Sequence, residues 1–242
     1  MKKLVVIVFF ILISQSSFAQ LFSRERILNN ENFDKDRFSY GYFLGFNSYD
    51  FNFDYKADAP NEEIQVETSL GFNVGLLGNL RINDYFDLRF EPGLYITNRK
   101  LHYSESYFPD DFTPTDADLI REVKSTYIHF PLLVKFSAKR LNNFKPFVVA
   151  GASMSLNLNS NENTPGGNHS GHFRMVKNTY YYEIGAGIDF YLRYFKFTPS
   201  IRGVFAINDE LVRDDPAEGP SPWTDNIESM KTRGIFVNFT FQ

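Results

Sequence analysis

The ten residues FDLRFEPGLY at 86–95 decide the fold. Phe86, Leu88, Phe90 and Leu94 are large and apolar, and Asp87, Arg89 and Glu91 stand between them. A period of two belongs to a strand with two unlike faces. A soluble sandwich buries the apolar face and wets the charges. A membrane barrel does the reverse, turning hydrophobes to lipid and charges to its lumen. One strand is compatible with both, and the remainder of the chain separates them.

The same alternation recurs in eight segments, at about 38–54, 67–83, 85–101, 122–138, 144–158, 176–191, 194–208 and 229–241. Each exceeds the roughly 9–11 residues that a tilted strand needs to cross a bilayer. One face of most segments is continuously apolar, as in Ile128, Phe130, Leu132, Val134 and Phe136, or Tyr180, Tyr182, Ile184, Ala186, Ile188 and Phe190. The opposite faces are charged or small: Glu183, Gly185, Gly187 and Asp189 in one strand, Lys196, Thr198, Ser200 and Arg202 in the next. Glycine contributes little to a wetted face but makes room in a narrow lumen. The inward set therefore predicts a lumen charge network of Arg89, Glu91, Lys135, Glu183, Asp189, Lys196 and Arg202. Eight strands leave an interior that side chains fill, and buried charges must pair, so a closed ion-pair network is expected rather than a channel.

The connections alternate in length. INDY, KRLNN and LRY are tight, whereas about 55–66, 102–121, 159–175 and 209–228 are long and polar. Short turns at one end and long loops at the other are the outer-membrane pattern. The expected fold is all-β: an eight-stranded antiparallel transmembrane barrel with short periplasmic turns and four long extracellular loops. Pro92, Pro131, Pro146 and Pro199 fall within strands. Each removes a ladder donor, and a closed barrel has no free edge to hide it. Bulges are expected there, or a rim position for Pro146.

The first residues, MKKLVVIVFFILISQSSFAQ, read as a signal peptide over 1–19: two lysines, an apolar run from Leu4 to Ile13, and a small-x-small site ending at Ala19. Residues 20–37 are then a polar periplasmic tail, and 38–242 the barrel. Beyond Gln20 no apolar run approaches the length of a membrane helix. Aromatics make up 17% of the chain, with 27 Phe, which suits pleated, half-buried surfaces. The formal charge is −4, two positive charges of which lie in the signal segment, and no basic patch dominates, so nucleic acid is not an expected partner. With no cysteine in the chain, disulfides and thiolate chemistry are excluded.

Candidate chemistry is sparse. His169 and His172 form an H-x-x-H in TPGGNHSGHF, but in a Gly/Asn/Ser-rich stretch that reads as a loop tip. Asp209, Glu210, Asp214 and Asp215 could attract calcium, yet lack the EF-hand spacing. The lone Trp223 could pack on a loop, meet a partner or lie at the lipid interface. No G-x-S-x-G elbow is present, and His129 beside Tyr127 and Lys135 reads as a network member. No catalytic residue, metal or cofactor is expected.

The stretches FSYGYFLGFNSYDFNF (38–53), FEPGLYITNRKLHY (90–103), STYIHFPLLVKFSAKR (125–140), YYEIGAGIDFYLRYFKFTPSIR (181–202) and FAINDELVRD (205–214) resemble the PorT/SprT family, an outer-membrane barrel component of the Bacteroidetes type IX secretion and gliding machinery. YGYFLGFN and YIHFPLLVKFSAKR carry the resemblance most specifically. It implies a non-enzymatic role in exporting proteins that bear C-terminal sorting domains, with membrane lipid, other secretion proteins and exported cargo as partners. The tail residues Arg24, Glu25, Arg26 and Arg37 are the expected docking site for a polar partner, since strand closure does not need them. The alternative is a stand-alone small barrel acting in adhesion or ligand binding through its loops.

Overall fold

The computed structural model describes residues 28–57, 59, 63–109, 112–162, 173–214 and 221–242. Residues 1–19, read above as a signal peptide, and Arg24, Glu25, Arg26, His169, His172 and Asp215 lie outside them. Among the described residues, strands dominate: β1 (Phe38–Tyr55), β2 (Gln65–Thr68), β3 (Leu70–Arg81), β4 (Phe86–Phe90), β5 (Gly93–His102), β6 (Ile120–Ser137), β7 (Phe144–Asn157), β8 (Asn178–Tyr191), β9 (Lys196–Ala206) and β10 (Ile227–Phe241). All pairings are antiparallel, and β1 pairs with both β3 and β10, which closes the sheet on itself. Only Ser69 separates β2 from β3, and only Glu91–Pro92 separates β4 from β5, so the ten segments make eight traverses of one ring. Short turns gather at one end of the barrel, the turn end, and the long connections at the other, the loop end.

Why these residues form a barrel follows from the two faces. The outward side of β1 offers Tyr40, Tyr42, Leu44 and Phe46, and that of β6 offers Phe130, Leu132, Val134 and Phe136, all exposed. In water such an apolar girdle would be a severe liability; in lipid it is the required surface. The outside changes character at one level toward the loop end. Beyond Phe46, β1 turns out Asp50, Asn52 and Asp54; beyond Ile96, β5 turns out Asn98, Lys100 and His102; beyond Ile235, β10 turns out Arg233 and Lys231. Cross-strand pairs lace this charged crown: Arg233–Asp50 at 2.7 Å, His102–Glu67 at 2.9 Å and Asn98–Glu122 at 2.8 Å. The crown is one-sided, because β10–β1 and β2–β5–β6 rise above the girdle while β8 and β9 do not.

The prolines depart from the expected bulges. Pro131 and Pro146 sit in ladders of unbroken register, opposite Ser153 and Ile188. Pro92 merely interrupts a traverse, β4 and β5 sharing one register against β6. Beside Pro199 the β8–β9 ladder omits two rungs and resumes in the same register. A missing donor is thus absorbed by leaving a rung out, without inserting a residue. Pro146, three residues into its strand, does lie near the turn-end rim. The register shifts fall elsewhere, between Asp54 and Tyr55 against β10 and at Ser69. Between Thr68↔Arg99 and Phe72↔Ile96 one strand spends one residue more than its partner, and the Ser69 amide and hydroxyl both donate to the Asn98 carbonyl.

Candidate functional site

The lumen is filled from end to end, and alternation along each strand supplies its contents. Near the turn end, Lys135 of β6 meets Asp189 of β8 at 2.5 Å; Lys196 of β9 stands 4.0 Å from the same carboxylate, and the Thr198 hydroxyl donates to its other oxygen at 2.8 Å. Midway, Arg89 of β4 pairs at 2.7 Å with Glu91, which lies in the break between β4 and β5. Arg202 of β9 reaches Glu91 at 2.9 Å and Glu183 at 3.5 Å, and Glu183 meets His129 at 2.7 Å. All seven charges named from the sequence are therefore at most 4% exposed and share two connected clusters. Glycines clear the space: a Cβ on Gly185 would sit 2.5 Å from the Arg202 side chain, and one on Gly75 would sit 2.5 Å from the Phe43 ring.

Above the charges lies an aromatic layer of Phe43, Tyr49, Tyr95, Tyr127, Tyr181 and Phe236, all buried. Such rings pack edge to face, as Tyr49 does on Phe236 at 5.2 Å between centroids. Arg99 closes the top of this layer. Its guanidinium lies 3.8 Å from the Phe51 ring centroid and donates to Thr232, Ser125 and the Tyr127 hydroxyl. Arg99 is fully buried, yet it is missing from the lumen set read from the sequence. The signal was present, since it continues the parity of Asp87, Arg89, Glu91 and Gly93.

The long connections pack on one another over the loop end. Phe51, Leu101, Tyr103, Tyr107, Phe108, Phe173, Met175, Leu211, Trp223 and Met230 belong to one buried cluster. Of the three placements open to Trp223, the structure adopts the first: it lies inside this dome, donates its ring N–H to the Asp118 carbonyl and stacks under Arg121 at 4.2 Å. The acidic stretch does not assemble a calcium site among the described residues. Asp209 accepts the amides of Leu211 and Met230 and pairs with Arg213, Asp214 pairs with Arg174, and Glu210 turns down into the barrel mouth to accept the Thr232 amide at 2.8 Å.

The turn end carries the described part of the tail. Residues 28–37 lie as a strap against the barrel. The Asn29 amide donates to Asn143 Oδ1, and the side chains of Asn29 and Asn30 donate to the carbonyls of Tyr191 and Leu192. Arg140 stacks on the Tyr191 ring at 3.7 Å and reaches Asp34 and the carbonyls of Asn29 and Asn30. The Tyr191 hydroxyl donates to Asp34 at 2.6 Å, and Phe33 rests against Tyr191 and Lys196. The polar groups of this part of the tail donate to strand-end carbonyls that need donors. Arg37 stays exposed beside Lys35 and Arg81 and is held through its carbonyl, which accepts the Arg81 amide. Arg140→Ala is expected to speed tryptic cleavage after Lys35 and Arg37 by roughly tenfold while the barrel stays folded, because the strap opens locally. Equal cleavage rates in mutant and parent would show that Arg140 does not hold it.

Residues 18–212 match the outer membrane protein beta-barrel domain family. No curated protein matches the sequence. Among solved structures the chain is similar to the outer membrane protein OprG from Pseudomonas aeruginosa, at 15% identity over 84% of this chain and 94% of that one, with a TM-score of 0.46. It is also similar to the N-terminal β-barrel domain of OprF from Pseudomonas aeruginosa (13% identity, 83% and 96% covered, TM-score 0.34) and to Ail, the attachment invasion locus protein of Yersinia pestis (12% identity, 84% and 96% covered, TM-score 0.34). A closed ring of eight antiparallel traverses, an apolar girdle outside and charges within, and a match over residues 18–212 place the chain in the outer membrane protein beta-barrel family.

Proposed function

We propose that this barrel is a non-enzymatic, non-conducting component of the type IX secretion and gliding apparatus, seated in the outer membrane with its turn end and strap toward the periplasm. The observation that carries the mechanical part is the filled lumen: two ion-pair clusters, an aromatic layer and a packed dome occupy the axis in series. A barrel of this bore has no room for a translocating chain, so its service to export is rendered at its surfaces. The secretion assignment is supported by the PorT/SprT resemblance of the segments at 38–53 and 125–140. Other secretion proteins and cargo are then the partners, meeting the strap or the crown. Deleting the gene is expected to leave proteins with C-terminal sorting domains in the periplasm, with the outer membrane intact. The purified barrel is expected to give no stable conductance steps in planar bilayers. Normal export in the deletion strain would remove the secretion role, and reproducible steps would remove the sealed lumen.

One observation favours a second reading, adhesion or ligand binding through the loops. The dome has its own hydrophobic core and is a preorganised platform. Replacing the long loops distinguishes the two: an adhesin loses cell attachment while export continues.

A further inference from the structure

The ring is not hydrogen-bonded over its whole height. The β1–β3 ladder runs from Phe38↔Leu80 to Ser48↔Leu70 and stops at the level where the outer face turns polar. Above it, β1 continues for seven residues to Tyr55, paired on its other side with β10 as far as Tyr55↔Ile227. Facing it, β2 pairs with β5 from Gln65↔His102 to Thr68↔Arg99. Among the described residues no ladder joins β1 to β2. The Ser69 bulge at the foot of the gap bends β2 away. Two ribbons thus rise side by side with their inner edges unlaced, and the edge groups find local substitutes. The Phe51 amide donates to the side chain of its neighbour Asp50 at 2.9 Å, and the Ile64 amide to the Tyr55 hydroxyl at 2.8 Å.

The gap holds a cavity of about 410 Å3 lined by Asp50, Phe51, Asn52, Phe53, Tyr55, Glu63, Ile64, Val66 and Arg233. Its two sides differ as the sides of a strand site should. Inward, Phe51 and Ile64 belong to the dome core, and Phe53, Tyr55 and Val66 pack against it. Outward, Asp50, Asp54, Glu63 and Glu67 form an acidic rim, in which Arg233 engages Asp50 and His102 and Lys100 engage Glu67. Exposed sheet edges are ordinarily protected because they template pairing with other chains. Here two edges face each other above the membrane, with an apolar floor beneath and carboxylates outside.

We propose that the seam between β1 and β2 accepts an extended segment of a partner protein as an added strand, with apolar residues turned into the dome and basic residues toward the acidic rim. Backbone bonds to two edges supply affinity in such augmentation, and alternate side chains supply specificity. The rim selects the sign of the outward residues. The site stands on register and side-chain placement and does not depend on a role in secretion.

The test uses the full chain in detergent micelles and a fluorescent peptide, Val-Lys-Val-Lys-Val-Lys-Val. The chain has no cysteine, so Asn52→Cys and Glu67→Cys supply the only thiols, and a short bis-maleimide can bridge them across the seam. Saturable binding is expected in the parent and, weakened by the loss of one rim carboxylate, in the unbridged double variant, which is the reference for the bridged form. Bridging, or N-methylation of three alternate peptide amides, should each weaken it roughly tenfold or more. Equal binding of the N-methylated peptide would mean that charge alone attracts it. Undiminished binding by the bridged barrel, or no saturation up to about 1 mM, would equally overturn the seam as a strand site.

Discussion

Arg202→Ala is expected to destabilise the barrel by roughly 3–5 kcal/mol, the cost of leaving an uncompensated buried charge. Arg202 serves two carboxylates, and they do not suffer alike. Glu91 keeps Arg89 at 2.7 Å, whereas the remaining charge partner of Glu183 among the described residues is His129, a cation only when protonated. The Arg202–Glu183 contact, at 3.5 Å from Nε, is a charge contact more than an aligned hydrogen bond. Glu183 is therefore the charge that Arg202→Ala strands. Adding Glu183→Gln should recover much of the loss, giving a favourable coupling between the two sites when unfolding in urea is followed in micelles. Lys177→Ala, on the exposed rim, should be within about 0.5 kcal/mol of the parent. Additive single and double variants would mean that the lumen charges are paired in appearance only.

Legibility in the sequence divides along the same physical line. Wherever period two persists, the sequence discloses which side chains share a surface, and a surface that alternates glycine with charge can only be a crowded interior. That logic places Arg89, Lys135, Glu183 and Arg202 together on the inner face from their parity alone. It stops where alternation stops. The bulge at Ser69 is a register shift between two strands, and no property of either strand alone encodes it. The strap is a second case. LNNENFDKDR carries no periodic signal, and its asparagines act by capping carbonyls whose location only the closed ring defines. Buried glutamates on loops are a third case, because a loop carboxylate is ordinarily solvated. Glu210 escapes that rule because the Val176 amide bonds its carbonyl and its own amide bonds the Met230 carbonyl, fixing the backbone over the barrel mouth.

Glu210→Gln is expected to stabilise the protein by about 3 kcal/mol at pH 8 and to flatten its stability between pH 4.5 and 7. Glu210 lies in the connection between β9 and β10, outside the membrane-spanning segments, and is fully buried. Burial pushes its carboxyl up to about 7, against the opposing pull of the Thr232 amide and the charge of Arg99. The other groups facing it are neutral hydroxyls: Thr179, Thr232, Tyr127 and Tyr181. A carboxyl whose folded pKa is raised binds its proton more tightly in the folded state. Stability from this group is therefore full below the unfolded value of 4.5, falls as pH rises toward 7, and is constant above that. Glutamine mimics the protonated form and keeps an acceptor for the Thr232 amide. It should lose the slope and leave the other titrations unchanged. The measurement is the urea midpoint in micelles at pH 5 and pH 8, for parent and variant. If Arg99 instead needs Glu210 as its counter-charge, the variant will be weaker than the parent at pH 8, and the sign of that one difference decides whether the buried carboxyl or the buried guanidinium governs the closure of the barrel's loop end.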